Sequence, residues 1–456
     1  MNLEAHETSS SNAWPNNARS NNARSNNTKP ANGYAMWACV ALFFFYQYIL
    51  RVSPGVMVNE LRFDYGITAE QFSYFGAFNL YAYALLQIPV GLLVDKYGVK
   101  RIVSLSIVIC ILATILSAMT HNLYLAYFSR FLMGVGSACS FMCTLKIVVD
   151  YLPKNKNGLW MGITLALGVA GALVAGKPLS VAMDLYGWRH ALLLTVILGM
   201  LILLSVMLIF PRSVSDARGL KANGDVSTDK RGDKNLNKKG SANEIFRSIL
   251  EILSTRMVLI YAFLAVGLYT PLSVMADLWG VAYIMAKFGL VRSDAAQVSM
   301  MLYVGLCAGS LVLPTLAEKY NALNKTITFC VFGILLSLCT ILFTPNLGWI
   351  EISILLFTLG FFCGAETLCF TGVVIYAPLN KTGVTIGITN TANMLGAAIA
   401  QQVIGIILDR VLWAGAMDVN GHRLYNVSDY TIALSSLIFI IGLCCVLAYQ
   451  LPKKNC

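Results

Sequence analysis

Apolar residues in this chain come in long runs separated by short polar stretches. Runs near 36–58, 71–94, 101–119, 122–147, 158–180, 189–210, 255–279, 296–317, 326–345, 350–376, 384–408 and 431–450 are each long enough for a helix to cross about 30 Å of hydrocarbon. They predict an all-α integral membrane fold of twelve transmembrane helices, six before the hydrophilic stretch 211–250 and six after it. Residues 1–34 are polar and carry a tandem repeat, Asn16-Asn17-Ala18-Arg19-Ser20 followed by Asn21-Asn22-Ala23-Arg24-Ser25, which reads as a disordered tail. That tail lacks the short apolar core of a cleaved signal, so the first span is expected to stay in place as a signal anchor.

The two sets of six spans are copies of one module. Pro153 returns as Pro378, a spacing of 225 residues (378 − 153), and Gly162-Ile163-Thr164 returns as Gly387-Ile388-Thr389 at the same spacing. Gly171-Ala172 and Gly396-Ala397, then Asp184 and Asp409, keep that register without a gap. A unit this long is half a protein rather than a solenoid repeat. The expected organisation is a tail (1–34), a six-helix bundle (35–210), a basic linker (211–250), a second six-helix bundle (251–451) and a short tail (452–456).

Composition agrees and narrows the functional classes. Only 12% of residues are charged and 57% are hydrophobic, with a mean hydropathy of +0.68. A water-soluble surface needs roughly twice that charge. The net charge of +11 arises from asymmetry between loops: with the N-terminus in the cytoplasm, roughly 23 Lys and Arg fall in cytoplasmic segments and about 6 in the opposite loops, as the positive-inside rule requires. Both termini are therefore expected in the cytoplasm of a plasma membrane, the inner membrane if the source is bacterial. Nucleic acid is not an expected partner. The linker cations Lys230, Arg231, Lys234, Lys238 and Lys239 could touch anionic lipid heads, but a solvated linker is the favoured reading. The Asn26-Asn27-Thr28 sequon lies on the cytoplasmic side and carries no inference.

Most cysteines lie within spans, where a thiol behaves as a small apolar group, and no Cys/His cluster has metal-ligand spacing. The four histidines are placed outside the helices. No metal or cofactor is expected, and neither a Walker loop nor a nucleophile–base–acid set supports an ATPase or an enzyme.

Between spans two and three stand Gly91, Asp95, Lys96, Gly98, Lys100 and Arg101. They match G-x-x-x-D-[R/K]-x-G-x-[R/K]-[R/K], and the loop resembles the signature of the major facilitator superfamily. The resemblance covers residues 36–450, with a degenerate echo, Glu318-Lys319-Tyr320 and Lys325, between spans eight and nine. It implies two pseudo-symmetric six-helix bundles that rock about a central site. In physical terms Gly91 allows close helix approach, and a carboxylate at Asp95 can accept from free N–H groups at a neighbouring helix N-terminus. The family pattern would place that terminus at the start of span eleven, near Gly383, as a latch on the cytoplasmic side; a tight turn with solvated charges is the alternative.

Span four carries Arg130, Gly134 and Gly136, which resemble the superfamily's R-x-x-x-G-x-G motif. Arg130 is about 8 residues into its helix, on the order of 12 Å deep, and Arg51 lies about 10 Å from the outer end of span one. Two buried guanidiniums at similar height suit a carboxylate or phosphate, with Gln47 and Tyr48 a turn before Arg51. A structural bridge or snorkelling is the competing reading. Tyr48-Ile49-Leu50-Arg51 is similar to the span-one pattern of the organic-anion symporter branch, in which arginines of spans one and four serve this purpose. That branch commonly has acids where this chain has Leu50 and Ser137, so its usual proton-coupling groups are absent.

Glu366, some 16 residues into span ten, is the first candidate for ion coupling and Asp277, at the outer end of span seven, the second; pairing of Glu366 with a cation across the interface is an equal alternative. Asn390 and Asn393 can add hydrogen bonds to the cavity. Lys146 and Lys177 are expected to snorkel. The span-five antiporter signature G-x-x-x-G-P-x-x-G-G is absent, which favours symport or uniport. The sequence thus points to a monomeric secondary transporter of a small anionic or zwitterionic organic solute, with a proton as the expected coupling ion. An amino-acid or dipeptide carrier, an exporter of hydrophobic metabolites or drugs, and a non-transporting receptor are the alternatives.

Overall fold

A computed structural model describes residues 33–153, 156–210, 249–378, 381–417, 421 and 423–452. Residues 1–32 and 453–456 and almost all of the linker, with the expectations placed on them, lie outside the described residues, as does His422. Among the described residues eleven helices are long and apolar enough to cross a bilayer. A twelfth span is the pair Ala69–Gln87 and Pro89–Tyr97, which bends by 59° where Pro89 removes an N–H and crowds the preceding turn. The fold is therefore the expected pair of six-helix bundles.

In the first half, spans one to six are Gly33–Val56, Ala69–Tyr97, Val99–Met119, Leu123–Tyr151, Asn157–Tyr186 and Trp188–Ile209. In the second, spans seven to twelve are Arg256–Phe288, Arg292–Lys319, Leu323–Phe343, Trp349–Tyr376, Thr382–Leu412 and Val427–Tyr449. A short helix, Val58–Tyr65, joins spans one and two. Thr68 and Gln71 form a capping box that starts span two, and Asn122 caps span four by accepting from the backbone N–H groups of Tyr124 and Leu125. Gly98 turns the chain from span two into span three at φ 81°, a conformation that strains any residue with a Cβ. His190 lies in the first turn of span six, not outside the helices as expected from its position at a span end.

Breaks in the spans follow the duplication. Span four changes helix at Ala138–Cys139 and span ten at Gly364–Ala365, so Cys139 and Gly364 are equivalent (364 − 139 = 225). The second break leaves Glu366 in the first turn of a new helix, where the helix dipole favours a carboxylate. Span seven widens to a π turn at Met275–Trp279, which carries Asp277.

The two halves touch chiefly at the face away from the termini. Arg292, opening span eight, pairs with Asp184 at the end of span five and with Glu60 of the short helix. Lys177 of span five binds Asp294 and Gln297, each at 3.0 Å. Arg410 of span eleven holds Glu70 of span two at 2.6 and 2.7 Å, and Asp409 accepts the Glu70 backbone N–H at 2.5 Å. At the terminal face the described ion pairs stay within one half: Asp95 with Lys146, and Lys381 with Glu251.

Candidate functional site

Spans one and seven cross closely, and the crossing builds the site. A Cβ on Gly55 would lie 2.5 Å from the Asp277 carbonyl oxygen, so only glycine permits the approach. Gly55-Val56 matches Gly280-Val281 at the repeat spacing (280 − 55 = 225). Arg51 and Asp277 are within one residue of that spacing (277 − 51 = 226), so they are near-equivalent positions that meet.

Both are buried, with side chains 9% and 5% exposed. Arg51 donates to Asp277 Oδ2 from Nη2 at 2.9 Å and from Nε at 3.1 Å, and from Nη2 to the Tyr269 hydroxyl. Ser273 Oγ donates to the same carboxylate oxygen at 2.8 Å, while the Tyr303 hydroxyl donates to Oδ1. Gln401 of span eleven donates to Ser273 Oγ at 3.1 Å and to its carbonyl at 3.0 Å. The Asp277 carboxylate is thus enclosed by donors from spans one, seven and eight. Tyr48 flanks the pair, its ring centroid 5.8 Å from the Arg51 guanidinium carbon and 5.8 Å from the Tyr303 ring. Gln47 is buried on the same helix.

The second arginine is arranged differently from the anticipated fork. Arg130 is 3% exposed and donates to backbone carbonyls: Phe75 O at 2.9 Å, Leu50 O at 2.7 Å and Arg51 O at 3.3 Å. Among the described residues no carboxylate forms an ion pair with it. The glycines after it do bring helices together: a Cβ on Gly136 would lie 2.8 Å from the Ser106 carbonyl.

Glu366 is partly exposed and its Oε1 accepts from Asn393 Nδ2 at 2.5 Å, not from a lysine or arginine. Asn393 is fully buried, and its Oδ1 has no donor among the described residues. Asn390, three residues earlier, is partly exposed. Of the two carboxylates only Asp277 bonds to Arg51.

At the terminal face, Asp95 binds Lys146, and span eleven does not reach it. Gly91 correspondingly makes no tight contact; a Cβ there would meet only Met142 Cε at 3.8 Å. Lys146 is half of an ion pair rather than a snorkelling cation, and so is Lys177. Lys100 donates to the Phe210 carbonyl at 2.8 Å, which ties the loop to the end of span six. Lys96 sits over the Tyr97 ring and Lys319 over that of Tyr320. Arg101, Gly98 and Glu318 line the terminal-face loops, with Arg101 and Glu318 exposed.

Sequence reading missed Tyr269, Ser273, Tyr303 and Gln401. The first two carry a local signal: Tyr269, Ser273 and Asp277 recur at a four-residue spacing, which puts them on one face of span seven. Tyr303 and Gln401 come from other spans and carry none.

The chain resembles known proteins over most of its length. It is 24% identical to the Probable galactarate/D-glucarate transporter GarP of Escherichia coli (strain K12), across 87% of this chain and 91% of that one. It is 23% identical to the Probable L-galactonate transporter of the same organism, across 80% of each. The match to the Probable sulfoacetate transporter SauU of Cupriavidus necator is 29% identical but spans only 33% of this chain and 35% of that one. The fold superposes on an inward-facing, unoccupied crystal structure of a bacterial homologue of the human lysosomal transporter Spinster with a TM-score of 0.73, at 14% identity, covering 93% of this chain and 97% of that one. A family model described as Major Facilitator Superfamily matches residues 36–401; the chain belongs to that superfamily.

Proposed function

We propose that this protein carries a small organic anion across the plasma membrane by alternating access, with both termini cytoplasmic and Arg51 as its anion receptor. The observation that carries this reading is the buried Arg51–Asp277 pair, made between the two halves where they cross. A cation whose ion pair there is with a carboxylate of the other half, with one further bond to the Tyr269 hydroxyl, can exchange that carboxylate for the carboxylate, sulfonate or other anionic group of a cargo. The relatives named for galactarate, L-galactonate and sulfoacetate support a cargo of this chemistry.

Displacement supplies a coupling step. Once an anion takes Arg51, Asp277 is left buried without its counter-ion, and a buried ion without a partner is neutralised by proton uptake. Cargo and proton then move together, as symport. Asp277 has this role rather than Glu366 because it touches the receptor. The contacts at the face away from the termini support a conformation shut on that side and open toward the cytoplasm; Asp95 would engage span eleven only in the opposite conformation.

A second reading is favoured by Glu366 and Asn393. Two adjacent acceptors, a carboxylate and an amide oxygen without a donor, suit an ammonium group, so a zwitterion could place its carboxylate on Arg51 and its amine there.

The test is counterflow in proteoliposomes preloaded with D-glucarate, L-galactonate, sulfoacetate or glutamate. Wild type should exchange at least one of them, and Arg51→Gln should abolish that exchange while the protein still folds. Exchange at wild-type affinity by Arg51→Gln would remove Arg51 as the receptor.

A further inference from the structure

We propose that Arg130 is a positioning residue, which holds the proline-interrupted turn of span one and thereby fixes Arg51, and that it does not contact the transported solute. This rests on the reading of Arg51 as the receptor.

Pro54 creates the need. Proline has no N–H, so the carbonyl four residues earlier, that of Leu50, has no helical donor. Leu50 is 0% exposed, and a carbonyl buried that deeply needs a partner. It has two: Ser53 Oγ at 2.9 Å within the same turn, and Arg130 Nη1 at 2.7 Å from span four. The same guanidinium reaches the Arg51 carbonyl at 3.3 Å from Nη2 and the Phe75 carbonyl of span two at 2.9 Å from Nε. Its remaining Nη1 contact is Met133 Sδ at 3.2 Å.

Four of the five N–H groups of a guanidinium are thus engaged, three of them by carbonyls of spans one and two. To reach a solute Arg130 would have to give up all three carbonyls, and the Leu50 carbonyl, which has no helical N–H, would keep only the neutral Ser53 hydroxyl. Gly134, one turn on, packs against the Asn79 carbonyl and the Ala82 methyl, so span four lies close against span two beside the arginine. Arginine fits this position better than lysine, because a planar fork serves diverging acceptors whereas an ammonium supplies a point charge. Arg130 grips the backbone at Leu50 and at Arg51 itself, so the receptor's main chain is clamped in the turn before Pro54. The charge of Arg130 still adds to the field felt by an anion on Arg51, but through space.

Pro54→Ala tests this, because it returns an N–H to the Leu50 carbonyl. Arg130→Gln alone should lower the thermal midpoint of the purified protein in detergent and cut D-glucarate counterflow by about tenfold, the effect of one lost charged hydrogen bond. Adding Pro54→Ala should recover much of both losses, and Arg130→Lys should behave like Arg130→Gln because the ammonium cannot span the three carbonyls. Strictly additive losses in the thermal cycle of Pro54→Ala and Arg130→Gln would overturn the proposal, and so would wild-type counterflow by Arg130→Lys. The thermal cycle needs no solute, so it decides the positioning role even if wild type proves not to carry D-glucarate. Counterflow that survives Arg51→Gln would instead discard the receptor reading and leave the thermal-cycle result for Arg130 unchanged.

Discussion

Asp277→Asn probes the central pair most directly. Arg51 and Asp277 are nearly buried and joined through two N–H donors at 2.9 and 3.1 Å. Removing one partner of such a pair costs about 3–5 kcal/mol, because the other charge stays buried and uncompensated. Arg51 keeps its bond to Tyr269, and an asparagine can still accept from Ser273 or Tyr303, so the loss should fall near the lower end, about 3 kcal/mol. The double variant Arg51→Gln with Asp277→Asn, a neutral pair of similar shape, should regain most of it. Reversible unfolding of the four proteins in detergent or bicelles measures the coupling.

The same substitution removes the anion's competitor. If half of that interaction opposes cargo binding, about 1.5 kcal/mol is released and affinity rises by about tenfold. If the proposed displacement couples cargo to a proton, wild type should accumulate anion when the outside is more acidic than the inside. Asp277→Asn should exchange anion but lose that accumulation. Additive stabilities in the double variant, or accumulation by Asp277→Asn that still follows the pH gradient, would refute the displacement argument.

Glu366→Gln should abolish glutamate counterflow and leave that of sulfoacetate unchanged if the Glu366–Asn393 pair receives an ammonium group; glutamate counterflow at the wild-type rate removes the zwitterion reading. Asp409→Asn should open the face away from the termini, because Asp409 accepts from the Glu70 N–H, Tyr425 and Arg423. A hydrogen bond to a charged group is worth about 1.5–3 kcal/mol, so the open population should rise by about tenfold or more. Spin labels on the outer ends of spans two and eleven would report it, and an unchanged distance distribution would show that Asp409 does not hold that face shut.

The fold was legible because membrane insertion leaves a strong one-dimensional record. Each crossing needs its own apolar run, and twelve runs in two matching sets define the architecture with no long-range contact to be guessed. The site was legible only in part. Arg51, Asp277 and Glu366 stood out because charge within a span is rare, but the pairing of Arg51 with Asp277 depends on which spans cross, and that is tertiary information. The Asp95 loop was recognisable from its spacing, whereas its partner depends on conformation: Lys146 of the same half here, span eleven in the expectation. Arg130 is the instructive case. A buried cation suggested a ligand, yet Pro54 leaves the Leu50 carbonyl without a helical N–H donor, and that need is readable from the chain.

The duplication separates the central pair from the rim contacts in what they can do. Equivalent residues of two repeats that touch each other must lie near the axis relating the repeats, and Arg51 and Asp277, one residue from exact equivalence, do touch. If the halves rock about a pivot at the depth of this pair, motion alone would strain it little, and a competing anion would be the effective way to part it. Asp184 and Asp409 are also equivalent (409 − 184 = 225) but stand apart, one against Arg292 of span eight and the other against the start of span two. They sit at the ends of the lever, where any opening of that face must break both. Beside Asp409 the loop between spans eleven and twelve adds a contact with no counterpart in the first half, since spans five and six are joined at Gly187 alone. From that loop Tyr425 donates to Asp409, and its ring lies 4.8 Å from the Arg62 guanidinium carbon. Burial, and then the bond to Asp409, push the Tyr425 hydroxyl above the usual tyrosine range, so it remains a donor at physiological pH. On the proposed reading cargo would be sensed at the central pair, and the conformational state would be held at the rim. Substitutions at Arg51 or Asp277 should therefore change binding and coupling first, and substitutions at Asp184 or Asp409 the population of states first.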